Sequence, residues 1–122
     1  MALHYRRGAA DASEFETIWR ELSQMGFFIT LQTNASMIDG KFEKLLEAFP
    51  PRQVKITLYG TNNDVYEQVC RIPGGFTKVD RGIQRLKEMR IPIQLVSTII
   101  RQNEDDVKRM AFYAIAISFR GQ

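Results

Sequence analysis

The sequence predicts an α/β fold of parallel strand–helix repeats. Apolar runs recur at residues 27–31, 54–58 and 93–100. The first two stop in the polar clusters Thr33-Asn34-Ala35 and Thr57-Leu58-Tyr59-Gly60, and a helical pattern follows each of the three. Their spacing is that of βαβ units, in which a long crossover joins two parallel strands. Ligands in such folds sit at the carboxyl ends of the strands. Chemistry is therefore expected at residues 32–36, 57–63 and 97–103.

The elements follow in order. Residues 1–12 are basic, then small and polar without a period, and read as a loose arm ahead of a single domain over 13–122. Ser13 can cap a helix, with Glu16 completing a capping box. Phe15, Ile18, Trp19, Leu22 and Met25 then recur at helical spacing, and Gly26 suits the position just past the helix end. The run 27–31 reads as a strand covered on both faces. A loop over 34–40 leads into a helix over 38–48 with Phe42, Leu45, Leu46 and Phe49 inward, ended by Pro50-Pro51.

The run 54–58 is the second strand. A long connection over 59–75 holds a short helix at 64–70 and the turn Ile72-Pro73-Gly74-Gly75. A helix over 77–89 turns Val79, Ile83, Leu86 and Met89 inward. Residues 91–100 form the third strand, and Gln102-Asn103-Glu104-Asp105-Asp106 starts a fourth helix with acids in its first turn, as the helix dipole favours. Residues 114–119 read as a fourth strand.

Composition narrows the function. At 122 residues, 44% hydrophobic and 25% charged, the chain is an ordinary globular domain. It is short of the roughly 200 residues a complete eight-fold β/α barrel needs. It reads either as a small doubly wound sheet or as part of something larger. The charge of +3 is mildly basic, and Lys and Arg alternate with Glu and Asp along the helices. That pattern describes solvated helix faces and speaks against nucleic acid. No run has the length of a membrane span, and residues 1–7 have no signal-peptide core. One cysteine excludes an internal disulfide and a Cys-only metal site, and a free thiol fits a reducing cytoplasm.

Several features carry no chemistry on this reading. Cys70 has no histidine nearby in sequence to act as a base, and His4 lies in the arm. The run Glu104-Asp105-Asp106 is explained by a helix start rather than a metal. Gly74-Gly75 lacks the neighbours of a phosphate loop.

The ordered set Thr33-Asn34-Ala35-Ser36-Met37-Ile38, then Val54-Lys55-Ile56-Thr57-Leu58-Tyr59-Gly60, then Arg71-Ile72-Pro73-Gly74-Gly75-Phe76, then Gly82-Ile83-Gln84-Arg85-Leu86 resembles the middle of a radical S-adenosylmethionine (radical SAM) enzyme. The nearest branch is the SPASM group of peptide and sulfatase maturases, which reads T-N-G-x-x-I, v-x-I-S-L-D-G, R-x-x-x-G-x-F and G-I-x-x-L. Ala35, Thr57 and Tyr59 replace the usual Gly, Ser and Asp. The family's three-cysteine loop is absent, and Gly8-Ala9-Ala10-Asp11 lies near the Gly-Gly-Glu-Pro segment without matching it.

The resemblance implies part of a TIM-like barrel, from its second helix to about its sixth strand. It implies S-adenosylmethionine and a [4Fe–4S] cluster in the intact parent, the cluster not ligated by this chain. It places three cofactor-binding residues. Thr57 would hydrogen-bond the ribose, although it could simply fill a barrel layer. Asn34 would organise the loop near the amino and carboxylate groups, or merely form a turn. Arg71 would pair with the methionine carboxylate, or bridge Glu67 or Asp64 on the surface. Gln94 and Ser97 fall on the third strand with no ligand assigned. No catalytic residue is assigned.

Such a fragment would contribute part of the cofactor wall and be inactive alone. Its partners would be the missing remainder of the barrel, or a second copy through dimerisation or domain swapping at open sheet edges. The rival reading is a non-enzymatic α/β interaction module that oligomerises through those edges. A third is a small complete domain with an anion site at a helix N-terminus.

Overall fold

A computed structural model describes residues 1–4, 12–33, 35, 38 and 40–120. In chain order the elements are β1 (Ala2–His4), α1 (Ala12–Gln24), β2 (Thr30–Thr33), α2 (Gly40–Ala48), β3 (Gln53–Thr57), α3 (Asn63–Cys70), α4 (Gly75–Glu88), β4 (Ile93–Val96), a 3₁₀ turn (Glu104–Asp106) and α5 (Val107–Arg120). The four strands form one parallel sheet in the order β1-β2-β3-β4. Spatial order follows chain order, so the crossovers all run the same way and stack their helices on one face. A doubly wound sheet would reverse its order at a switch point. The expected parallel α/β repeat is therefore observed, in its barrel-like form.

Side-chain alternation shows which face the helices cover. Leu31, Thr33, Val54, Ile56 and Leu58 are buried, whereas Thr30, Gln32, Gln53, Lys55 and Thr57 between them are half-buried. The core lies under the helices. Trp19 of α1 is fully buried and its indole N–H donates to the Phe49 carbonyl at 2.9 Å. Phe15 stacks between Trp19 and Phe42, with ring centroids 5.8 and 5.6 Å away. Val79, Ile83 and Leu86 of α4 fall at helical spacing and are buried as expected.

Several elements differ from the sequence reading. Ala2–His4, expected to begin a loose arm, is a strand paired with Thr30, Leu31 and Gln32. The terminal amine also donates to the Phe28 carbonyl at 2.9 Å. This strand owes its form to its neighbour, because three residues carry no readable period. Residues 5–11, including Gly8-Ala9-Ala10-Asp11, lie outside the described residues.

The first apolar run is displaced. The strand is Thr30–Thr33, while Phe27 and Phe28 are exposed. Gly26, at φ 85°, closes α1 in a Schellman motif, its N–H donating to Ser23 O and that of Phe27 to Leu22 O. Those residues are used to leave the helix before pairing begins. β2 is covered on one face, not both. Ile18 of α1, and Met25 just past its end, face outward rather than inward.

Residues 114–119, read as a fourth strand, belong to α5. Met110, Tyr113 and Ile117 give it a helical stripe, with Met110 and Ile117 buried and Tyr113 packed against the core, while Phe112 and Ile115 are exposed. The exposed apolar residues between the inward ones make the segment look continuously hydrophobic in sequence.

Candidate functional site

The carboxyl ends of β2, β3 and β4 lie side by side, because Thr33 pairs with Ile56 and Thr57 with Val96 in register. Each end passes into a loop tied down by specific bonds. After β2, the Thr33 hydroxyl accepts from the Ala35 N–H at 3.3 Å and the Ala35 carbonyl from the Ile38 N–H at 3.3 Å. Ala35 sits in the left-handed region at φ 69°, fully buried. Glycine adopts that conformation without penalty, whereas an L-residue is strained by roughly 1–2 kcal/mol. The loop rests on α4, where a Cβ on Gly82 would overlap the Ala35 carbonyl oxygen.

After β3, the Tyr59 N–H donates to the Tyr66 hydroxyl at 3.2 Å. A Cβ on Gly60 would lie 2.6 Å from Val65 Cγ1, so only glycine lets this loop lie so close to α3. Asn62 caps α3 by accepting from the Val65 N–H at 2.9 Å.

A second set of bonds joins the β3 loop to the chain beyond β4. The buried Asn103 amide donates to the carbonyls of Tyr59 at 3.1 Å and Thr98 at 3.0 Å, and accepts from the Ile100 N–H at 2.8 Å. The buried Asp106 carboxylate accepts from the Thr61 N–H at 2.6 Å and from the Thr61 hydroxyl at 2.9 Å. Asp106 thus clasps the β3 loop; its place at the start of a helix does not explain it. Asn103, Asp106 and Thr61 are the residues that sequence reading missed as a unit. Thr61 and Asn103 fall within the expected strand-end windows 57–63 and 97–103, but nothing local shows that Asn103 meets Tyr59, 44 residues away, or that Asp106 meets Thr61.

Thr57 ends β3 on the sheet face away from the helices, half-buried, and its hydroxyl has no partner among the described residues. Arg71 is the exposed residue that closes α3, at φ 56°, its backbone N–H donating to the Glu67 carbonyl at 2.9 Å. Its guanidinium pairs with neither Glu67 nor Asp64. No hydrogen bond links Arg71 to Thr57 among the described residues. Asn34 lies outside the described residues. Gln94 is exposed on the same sheet face as Thr57, and Ser97 follows β4.

Burial pushes the Cys70 thiol up, which favours the inert thiol over the thiolate. No three His, Cys, Asp or Glu side chains cluster as metal ligands among the described residues. A cleft of about 330 Å³ opens between Leu46, Pro50, Arg85, Met89 and Ile91. Pro50 and Ile91 precede β3 and β4, so this cleft is at the amino ends of the strands, opposite the polar loops.

Tyr66 provides a pH-dependent test of the loop. Burial holds its hydroxyl well above the ordinary value of 10.0, partly opposed by the bond from the Tyr59 N–H. Folded chains then keep a proton that unfolded chains lose, so the stabilisation is present below pH 10.0 and is lost as pH rises further. Urea denaturation is expected to show stability falling above that pH by up to about 1.4 kcal/mol per pH unit from this group. Burial and the Asp80 carboxylate raise Tyr113 in the same way, so Tyr66→Phe should lower the slope by the Tyr66 share and leave that of Tyr113; an unchanged slope would place the titration elsewhere.

The Radical SAM superfamily model matches residues 8–114 of the chain. The chain belongs to the Radical SAM superfamily. Within it, the chain is 21% identical over 84 residues to the AdoMet-dependent heme synthase of Methanosarcina barkeri (strain Fusaro / DSM 804), a match covering 69% of this chain and 24% of that protein. It is also similar to the solved structure of native anSMEcpe with bound AdoMet and Kp18Cys peptide, with a TM-score of 0.70 and 18% identity over 97% of this chain and 35% of that one. At that identity the likeness establishes the fold: this radical SAM chain is a four-stranded portion of a TIM-like barrel. It spans about a quarter to a third of the length of these two proteins.

Proposed function

We propose that this radical SAM chain forms part of the S-adenosylmethionine-binding wall of a larger enzyme. The observation that carries the reading is Thr57: a hydroxyl at the carboxyl end of β3 with no partner among the described residues, beside two loops held by buried polar bonds. A hydroxyl both donates and accepts, which suits a ribose edge. Asn34 and Arg71 complete the proposed set by their places in the family motifs, the exposed Arg71 guanidinium having no ion pair among the described residues and suiting a carboxylate. The closest branch on motif order is that of the SPASM peptide and sulfatase maturases.

The cofactor, bound against a reduced iron–sulfur cluster, supplies radical hydrogen abstraction; the protein's task is to bind and orient it. The cluster itself does not fit this chain. Cluster ligation takes several thiolates, and Cys70 is the one cysteine, on α3 with its thiol favoured. The chain alone is therefore proposed to be inactive, the cluster loop belonging to the rest of the barrel. The free thiol supports a cytoplasmic setting.

β1 and β4 each leave one edge unpaired among the described strands. These edges are proposed to receive the remaining barrel strands, or a second copy when the chain is alone. The interaction-module reading rests on the same edges and on Phe112 and Ile115, 70% and 51% exposed on α5.

Calorimetry of S-adenosylmethionine on the purified chain separates the readings. Binding weakened about fivefold by Thr57→Val, the worth of one hydrogen bond, supports the cofactor wall. Arg71→Ala should weaken it further. Absence of binding, with a dimer in sedimentation, would favour the interaction module.

A further inference from the structure

A TIM-like barrel normally fills its interior with branched apolar side chains. On this sheet that face is mostly polar. On the face opposite the helices, the described positions of β2 and β3 are Thr30, Gln32, Gln53, Lys55 and Thr57, and β4 adds Gln94 and, beside Thr57, the apolar Val96. Register aligns Gln32, Lys55 and Gln94 in one row across three strands, and the same row continues to His4 of β1. Gln53 donates to Gln94 across the same face at 3.3 Å. The row lies two residues below Thr57, about 7 Å deeper along β3.

Lys55 is the single charged residue among those seven. Lysine is disfavoured in the middle of a strand, and a charge enclosed in a barrel needs a counter-charge. The described residues provide none: no carboxylate pairs with Lys55, and none of the described positions on this face is acidic. The flanking glutamines offer both amide donors and carbonyl acceptors. From this juxtaposition we infer that the Gln32–Lys55–Gln94 row binds a carboxylate-bearing small molecule, deeper in the barrel than the cofactor edge. Lys55 supplies the charge and the two glutamines orient the carboxylate. The inference names the substrate class of the proposed cofactor wall, and it rests on the reading that this face lines the barrel.

The test uses the whole chain with its lysines ¹³C-dimethylated, which keeps their charge. The Lys55 signal is assigned by its loss in Lys55→Gln. Succinate is expected to shift that signal along a saturable curve, together with the side-chain amides of Gln32 and Gln94, whereas neutral succinamide leaves all three in place. Read from the glutamine amides, Lys55→Gln should weaken succinate at least fivefold and Lys55→Arg should keep it within twofold. Equal response to succinamide, no saturable shift, or undiminished binding by Lys55→Gln would overturn the inference. So would a Lys55 signal that follows protein concentration instead of succinate, since the face would then be covered by a second copy. A parallel S-adenosylmethionine titration keeps the two claims separate: succinate binding without cofactor binding would sink the cofactor wall alone, and the reverse would sink the carboxylate site alone.

Discussion

Asn103→Ala is expected to destabilise the chain by about 3 kcal/mol, roughly one per hydrogen bond lost from a buried group. The side chain is 1% exposed and serves the Tyr59 and Thr98 carbonyls and the Ile100 N–H. Truncation leaves these backbone groups without their partner. Because one of them is in the β3 loop and the others follow β4, the substitution also uncouples the two strand ends. Urea denaturation measures the loss as a lower midpoint at unchanged slope. Asn103→Asp sharpens the test, since it keeps the acceptor for Ile100 but turns a carboxylate oxygen toward two carbonyls. It should do no better than alanine. A loss under about 1 kcal/mol in both variants would mean that Asn103 does not hold the loops together.

Gly82→Ala sets helix propensity against close packing. In a helix interior the change from glycine to alanine should stabilise by about 1 kcal/mol. Here the added methyl would meet the Ala35 carbonyl oxygen at overlap distance and the Ala35 Cβ at 3.2 Å. The obstacle is backbone, and it belongs to a loop already held at φ 69°. Overpacking of this kind costs roughly 1–3 kcal/mol and at times more, so the contact outweighs propensity. A net destabilisation of about 2 kcal/mol is expected, with the loop after β2 displaced. Thermal melts of the variant and the parent chain decide the sign. A rise in Tm would show that α4 and the loop separate without cost.

The repeat of strand and helix was legible because each apolar run ended in a polar cluster and each helix carried a stripe such as Val79, Ile83 and Leu86. The motif order was legible for the same reason that the loops work: Gly60 and Gly82 stand where backbone packs against a helix. What failed depended on partners distant in sequence. Ala2–His4 is a strand because Thr30–Gln32 lies beside it. Phe27 and Phe28 look like strand residues, but the Phe27 N–H closes the Schellman motif at Gly26 and the strand begins only at Thr30. Phe112 and Ile115 disguised the stripe of α5. Asp106 looked like one more acid at a helix start, since nothing local shows that its partner is Thr61. Thr57 and Arg71 were singled out by motif; Thr57 lies at the carboxyl end of the central strand β3 and Arg71 at the end of α3.

The most direct test of the cofactor wall is an amide chemical-shift map of the chain titrated with S-adenosylmethionine. The account predicts shifts concentrated at residues 33–35, 57–61 and 96–98, the carboxyl ends of the three strands. Shifts centred instead on Pro50, Met89 and Ile91, around the cleft at the amino ends, or no shifts at all, would contradict it.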